Sequence, residues 1–203
     1  MNKFHVPYLH NPGVLAGKLP EKLFKKIRKI VLSPEAREES TRHLLVGSIQ
    51  NEFMTPYIPE FWEYIAEMYE QWRVVYETDT IDYKIEPVWT NYMRAHEFNP
   101  THTHPDALAV FVLWIQIPYD IEDEIKAGGY NNPTDPSRRS CFEFTYARLD
   151  GQIKHNPIYV DKSYEGTIVM FPGYLNHSVY PFSTSDEERI SIAGNIYPNK
   201  MRV

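Results

Sequence analysis

Two stretches of this chain hold side chains whose types and spacing could bind a metal ion. The first, Asn99-Pro-Thr-His-Thr-His-Pro-Asp106, carries imidazoles and a carboxylate at alternate positions: His102, His104 and Asp106. In an extended backbone, residues two apart point to the same side, about 6.5–7 Å apart, so two of them can converge on one cation. The second, Met170-Phe-Pro-Gly-Tyr-Leu-Asn-His177, adds His177. Farther on, Arg189-Ile-Ser191 sets a guanidinium and a hydroxyl on one face of a predicted strand.

Alone, a His-x-His pair reads more readily as incidental, or as two imidazoles each satisfied by a hydrogen bond. His177 at the start of another strand, with Arg189 and Ser191 beyond it, tips the balance toward a shared site. Three neutral imidazoles, or two with Asp106, suit Fe(II), Zn(II) or Mn(II), and two His plus one carboxylate is the facial triad of non-haem Fe(II) oxygenases. Arg189 separates these options. A guanidinium near a metal pairs bidentately with a carboxylate. A 2-oxo acid chelating the metal at one end needs such a partner at its other end, and a plain zinc hydrolase does not. His5, His10, His43 and His155 have no ligand-like company and read as surface or packing residues, while His96 is left unassigned.

These groups sit in a chain of 203 residues, enough for one well-buried domain and short for two. The net charge of −6, without a basic block, argues against nucleic acid as a partner. Apolar runs fall short of a membrane span, and the N-terminus lacks a signal-peptide core. One cysteine, Cys141, excludes an intrachain disulfide framework and fits a reducing, cytoplasmic setting. It falls in a predicted strand and reads as a buried structural thiol. With 16 Pro, 14% aromatic residues and only 9 Gly, the composition favours a turn-rich β domain over a nucleotide fold.

The elements that must position the site follow from periodicity. Residues 1–18 read as an irregular arm. Pro20 opens an amphipathic helix with Leu23, Phe24, Ile27, Ile30 and Val31 on one face. Ser33-Pro34-Glu35 starts a short helix reaching about Thr41, and Leu44–Ile49 could enter a strand. Ile58, Phe61, Trp62, Ile65, Met68, Tyr69 and Trp72 stripe a longer helix over about 57–75. From Tyr83 onward β-type runs dominate, at 84–95, 107–117, 141–149, 157–161, 166–171, 177–182 and 189–197, with Asp150-Gly151 as a hairpin signal. The acidic, then Gly-, Asn- and Pro-rich stretch 119–140 reads as a long surface loop able to act as a lid. Helices first and strands later predict an α+β domain over 1–203. Helical support in 1–80 buttresses a jelly-roll core in 81–203.

At its site residues the chain resembles the 2-oxoglutarate/Fe(II)-dependent oxygenases of the double-stranded β-helix (cupin-like) fold. The resemblance lies in His102-Thr-His-Pro-Asp-Ala107, Val112-Leu-Trp-Ile-Gln-Ile-Pro118, Phe171-Pro-Gly-Tyr-Leu-Asn-His-Ser-Val-Tyr-Pro-Phe182 and Arg189-Ile-Ser-Ile-Ala-Gly-Asn195. It covers about 85–200, and more loosely Gly47–Glu52. Trp89-Thr-Asn91 is similar to the family's Trp-x-Asn, which brings Asn91 toward the 2-oxoglutarate. Two departures alter the pocket lining: Ala107 replaces the family's Ser, and Phe111-Val-Leu-Trp114 replaces its Gly-Val-Tyr-Tyr. Aspartyl/asparaginyl β-hydroxylases are similar in layout, as are prolyl hydroxylases. Aligned with the former on the proline, His102 becomes the first ligand and His104 takes the acidic position. The resemblance therefore implies Fe(II) on His102, His104 and His177, with Asp106 either beside them or substituting for His102 or His104 as a ligand.

The expected protein is a dioxygenase using Fe(II), dioxygen and 2-oxoglutarate. Arg189, Ser191 and Asn91 hold the cosubstrate, and no catalytic residue is expected beyond the metal centre. Its expected product is a hydroxylated amino-acid side chain or small molecule, with succinate and CO2 released. Its substrate is a small molecule or peptide, with no nucleic-acid or membrane partner; the oligomeric state is open, a homodimer included. The rival reading is a non-catalytic cupin-like jelly roll that binds metal without turnover.

Overall fold

The computed structural model describes residues 12–41, 46–76, 78–79, 81–127 and 138–199. Its N-terminal part obeys the apolar spacing of the sequence. Helix α1, Glu21–Val31, buries Ile27 and Val31; helix α2, Pro59–Val75, buries Phe61, Ile65, Met68, Tyr69 and Trp72. Pro59 lies in the first turn of α2, where its missing N–H has no intrahelical partner to lose. No helix among the described residues is long and apolar enough to cross a membrane.

Ten strands among the described residues form two antiparallel sheets. The six-stranded sheet runs β1 (Leu15–Lys18), β8 (Thr167–Pro172), β5 (Ala109–Gln116), β10 (Arg189–Pro198), β3 (Tyr83–Met93), β2 (Glu52–Met54). The four-stranded sheet runs β4 (Asn99–His102), β9 (Asn176–Val179), β6 (Cys141–Ala147), β7 (Ile153–Tyr159). Strand β5 shows why its sequence is an unbroken apolar run. Phe111, Leu113 and Ile115 pack under α1 and α2, while Val110, Val112 and Trp114 face the second core with Phe142 and Phe144. A strand covered on both faces needs apolar residues at every position.

Strand β10 alternates differently. Ile190, Ile192 and Ile196 join the core under the helices, and Ala193 joins the core between the sheets. The same period of two turns Arg189 and Ser191 inward, and both line the cavity there. The polar residues of this strand are therefore inside the sandwich.

The architecture is the expected helix-backed jelly roll, with local differences. Leu15–Lys18, read as part of an arm, pairs with β8 in the register Leu15↔Met170; a four-residue strand containing Gly17 is too short to show alternation. Asn99–His102, which falls between the strands expected at 84–95 and 107–117, pairs with β9. The short helix after Ser33 is a 3-10 turn at Pro34–Arg37. Of the strand expected at Leu44–Ile49, residues up to 45 lie outside the described residues; 46–49 are not strand, and β2 begins only at Glu52. The loop expected over 119–140 contains a helix, α3, at Ile121–Ala127, and 128–137 lie outside the described residues. The hairpin at Asp150-Gly151 forms between β6 and β7, with Gly151 at φ +81° and Arg148 N–H bonded to the Gln152 carbonyl at 2.8 Å.

The turn between β8 and β9 connects fold to site. The Gly173 carbonyl accepts the His104 N–H at 2.8 Å. A Cβ on Gly173 would collide with the carbonyl oxygens of Ala107 and His104, which are backbone and cannot swing away. Gly173→Ala is expected to lower stability by about 1–3 kcal/mol and to weaken metal binding by displacing His104. Urea unfolding and metal titration check the two effects; a variant with native metal affinity would break the link.

Candidate metal centre and its cavity

Strand pairing assembles the imidazoles. His102 stands directly opposite His177 in the β4–β9 register, with ring centroids 4.3 Å apart. His104 follows just past β4, its ring 5.2 Å from that of His102 and 5.3 Å from that of His177. One ring nitrogen from each lies within 4.8 Å of the others. Phe142 and Phe171 pack on His177 at 5.6 and 4.8 Å between centroids, fixing its ring.

Hydrogen bonds select the tautomers of two rings. His102 Nδ1 lies 2.7 Å from the Pro100 carbonyl and His177 Nδ1 3.0 Å from the Leu175 carbonyl. A carbonyl only accepts, so each Nδ1 carries the proton and each Nε2 keeps its lone pair for a ligand. Burial depresses basicity at all three. It holds His177 down to about 3 and His104 to about 4, with neighbouring imidazoles adding to the effect, and lowers His102 as well. Three neutral nitrogen donors converging in an apolar wall fit a divalent transition metal.

Asp106 does not join them. His104-Pro105-Asp106-Ala107 forms a turn closed by Ala107 N–H to the His104 carbonyl at 3.2 Å, with Asp106 at φ +68°. Proline second and a positive φ third are the marks of a type II turn, and Asp tolerates that conformation. Its exposed carboxylate borders a separate cleft with Lys84 and Tyr197. The alternation that suggested His104 and Asp106 share a side is broken at Pro105.

A cavity runs from the three histidines past Asn91 and Ser191 to Arg189. Trp89, Val112 and Trp114 supply apolar walls. Arg189 is 4% exposed. Its Nη1 donates to the Tyr119 hydroxyl at 3.0 Å and the Ser140 carbonyl at 3.1 Å. Its Nη2 donates to the Tyr180 carbonyl at 3.2 Å and the Met93 sulfur at 2.8 Å. All four acceptors are neutral, and among the described residues no carboxylate lies within ion-pair distance. A buried guanidinium held by dipoles alone favours an incoming anion, and the thioether is the weakest of its acceptors to displace. Asn91 Nδ2 lies 3.5 Å from Ser191 Oγ, while Asn91 Oδ1 is buried without a partner. These groups fit a dicarboxylate whose other end reaches the histidines.

Sequence reasoning missed Tyr119, Met93 and the role of α3. Glu124 on α3 accepts N–H bonds from Ser183 at 2.9 Å and Thr184 at 2.7 Å. Tyr119 stacks on Phe182 at 5.0 Å. Together they brace the segment that touches Arg189, and no local pattern in the sequence marks them. His155, read as a surface residue, lies 3.2 Å from the buried Glu143 carboxylate, away from the three-histidine cluster.

A jelly roll with a three-imidazole cluster and a buried arginine in one cavity has the layout of a non-haem iron oxygenase. A family model described as "Putative 2OG-Fe(II) oxygenase" matches residues 87–195, and the chain belongs to that family. It is an Fe(II)- and 2-oxoglutarate-dependent oxygenase. Solved structures share its double-stranded β-helix fold. A Pseudomonas putida prolyl-4-hydroxylase is 16% identical at TM-score 0.54, covering 92% of this chain and 93% of that one. A Trichoplax adhaerens prolyl hydroxylase, in complex with a hypoxia inducible factor peptide fragment, is 11% identical at TM-score 0.57, covering 93% and 85%. HygX from Streptomyces hygroscopicus, with nickel, 2-oxoglutarate and hygromycin B bound, is 8% identical at TM-score 0.56, covering 94% and 84%. No curated protein sequence matches.

The depressed imidazoles set a pH dependence for the metal-free protein. Folded values of about 3 and 4 lie below the ordinary 6.5, so between these limits the unfolded chain binds more protons. Stability is complete above about 6.5 and falls as pH drops toward about 4. Urea midpoints taken at pH 8, 6 and 5 should decline in that order, and the decline should shrink in His177→Gln. A flat profile would contradict the burial argument.

Proposed function

We propose that His102, His104 and His177 hold the Fe(II), His102 and His177 through Nε2, and that Arg189 with Ser191 and Asn91 holds the distal carboxylate of 2-oxoglutarate. The observation that carries this reading is the meeting of three neutral imidazoles at one end of a cavity whose other end is a guanidinium held by neutral acceptors. Three neutral donors leave the metal's charge of +2 intact, and the cosubstrate dianion offsets it. When bound, Fe(II) and 2-oxoglutarate supply oxygen activation coupled to decarboxylation, giving succinate, CO2 and a hydroxylated C–H position.

The chain's own contribution is placement and exclusion of water. The carbonyls of Pro100 and Leu175 orient two imidazoles, and Phe142 and Phe171 hold the His177 ring. Trp89, Val112 and Trp114 shield the space between metal and arginine from solvent. The substrate is read as an amino-acid side chain, free or in a peptide, or a related small molecule. The Trichoplax neighbour, solved with a peptide fragment, supports the peptide option. Residues 1–203 are read as one domain working in a cytoplasmic setting; burial pushes the Cys141 thiol up to about 12, which keeps it protonated and inert.

Anaerobic addition of Fe(II) and 2-oxoglutarate is expected to raise a metal-to-ligand absorption band, and admission of oxygen to yield succinate. Arg189→Ala should weaken 2-oxoglutarate binding by roughly 30-fold or more, with Arg189→Lys between the two. His177→Ala should lower metal affinity by on the order of 100-fold or more. Native 2-oxoglutarate affinity in Arg189→Ala would remove the arginine from the cosubstrate site.

A further inference from the structure

The guanidinium of Arg189 is fully engaged at its two terminal nitrogens. Each carries two N–H groups, and the four go to the Tyr119 hydroxyl, the Ser140 and Tyr180 carbonyls and the Met93 sulfur. A carboxylate that pairs through Nη1 or Nη2 must therefore take the place of one of these acceptors. Among the described residues, the cavity lining includes Met93 and Arg189 but not Tyr119, Ser140 or Tyr180. Only the sulfur stands on the side from which an anion arrives.

The three acceptors behind the guanidinium are also fixed in place. Ser140 is wholly buried, and its N–H donates to the Pro181 carbonyl at 2.9 Å. The Tyr180 N–H donates to the Cys141 carbonyl at 2.9 Å. The Tyr119 ring stacks on Phe182 at 5.0 Å, and its hydroxyl donates to the Ser140 carbonyl at 3.2 Å. Met93 differs. It stands opposite Arg189 in the β3–β10 register, buried at 2% exposure, and reaches Nη2 through a thioether alone. A thioether on an unbranched chain with three rotatable bonds is a weak acceptor that can turn aside.

Resting on the cosubstrate site proposed above, we infer that Met93 is a reversible cap on Arg189 and thereby sets how tightly the distal carboxylate is held. Before 2-oxoglutarate arrives, the sulfur keeps a buried N–H of Nη2 from being left unpaired. The distal carboxylate displaces it, because a charge-assisted hydrogen bond is far stronger than one to a thioether. Succinate keeps that same carboxylate, and the return of the sulfur to Nη2 lowers the cost of its departure. A stronger neutral acceptor at this position would compete with the carboxylate, whereas an apolar side chain would leave Nη2 to the carboxylate alone. Met93 is thus a specificity-determining residue for the cosubstrate, tuned between capture of 2-oxoglutarate and release of succinate.

The test compares Met93→Leu with Met93→Gln. Both keep the side chain near its present size, but leucine offers Nη2 no acceptor and glutamine offers an amide oxygen. The full chain, loaded with Fe(II), is titrated anaerobically with 2-oxoglutarate, with succinate, and with 2-oxopentanoate, in which a methyl group replaces the distal carboxylate. Affinities are read by calorimetry. Met93→Leu is expected to bind 2-oxoglutarate and succinate about three- to tenfold tighter than the native protein, and Met93→Gln about tenfold more weakly. The affinity for 2-oxopentanoate should stay unchanged in both. Damaged packing lowers affinity and does not raise it, so Met93→Leu decides the matter even where Met93→Gln fails to fold. Weaker or unchanged 2-oxoglutarate binding in Met93→Leu overturns the inference, as does a shift for 2-oxopentanoate equal to that for 2-oxoglutarate. Equal affinity of the native protein for 2-oxoglutarate and 2-oxopentanoate faults instead the pairing of Arg189 with the distal carboxylate, and the cap falls with it.

Discussion

The site depends on the pairing of β4 with β9. Only that ladder sets His102 opposite His177, and β4 is four residues long with an irregular register between Asn99 and His102. So short a strand needs outside support. The segment before β2 provides it: Ser48 N–H donates to the Phe98 carbonyl at 2.9 Å, and Phe98 N–H donates to Ser48 Oγ at 2.8 Å. The Asn99 amide, oriented to satisfy its neighbours, donates to the Val46 carbonyl at 2.9 Å. Gly47 is at φ +129° beside Asn99, where any side chain would collide with the Asn99 amide. The clamp is local, but its effect is felt at the imidazoles.

Charge is handled oppositely at the two ends of the cavity. Around the histidines, aromatic packing and burial keep proton affinity low, so the nitrogens remain available as ligands. Around Arg189, neutral dipoles from Tyr119, Ser140 and Tyr180 hold a permanent cation without cancelling it. One end suits a metal and the other an anion. A molecule that chelates through one terminus and is anionic at the other satisfies both at once. This explains why the polar residues of β10 turn away from solvent while its isoleucines anchor the strand under α2.

Much of this was legible in the sequence where side-chain period and turn chemistry act alone. The stripes of α1 and α2, the apolar run of β5 and the Asp150-Gly151 hairpin each have a local cause. The imidazoles and Arg189 also declared themselves by type and spacing. What could not be read are pairings between distant segments. Leu15–Lys18 is a strand only because β8 offers it an edge, and Asn99–His102 only because β9 does. Tyr119 and Glu124 matter through the backbone they brace around Arg189, a relation without trace in local composition. Asp106 shows the converse: a ligand-like residue in a ligand-like pattern, diverted because Pro105 begins a turn.

Strand β10 carries consequences for how this scaffold can change. Its odd-numbered positions Arg189, Ser191 and Ala193 furnish the chamber, and Ile190, Ile192 and Ile196 bolt it to the helical layer. One residue added or removed upstream on that strand would exchange the two sets wholesale. Guanidinium and hydroxyl would be driven into the hydrophobic layer, and isoleucines into the chamber. Diversification of this chamber is thus confined to point replacement along β10, whereas changes of length are tolerable only where the chain is not threaded between two cores.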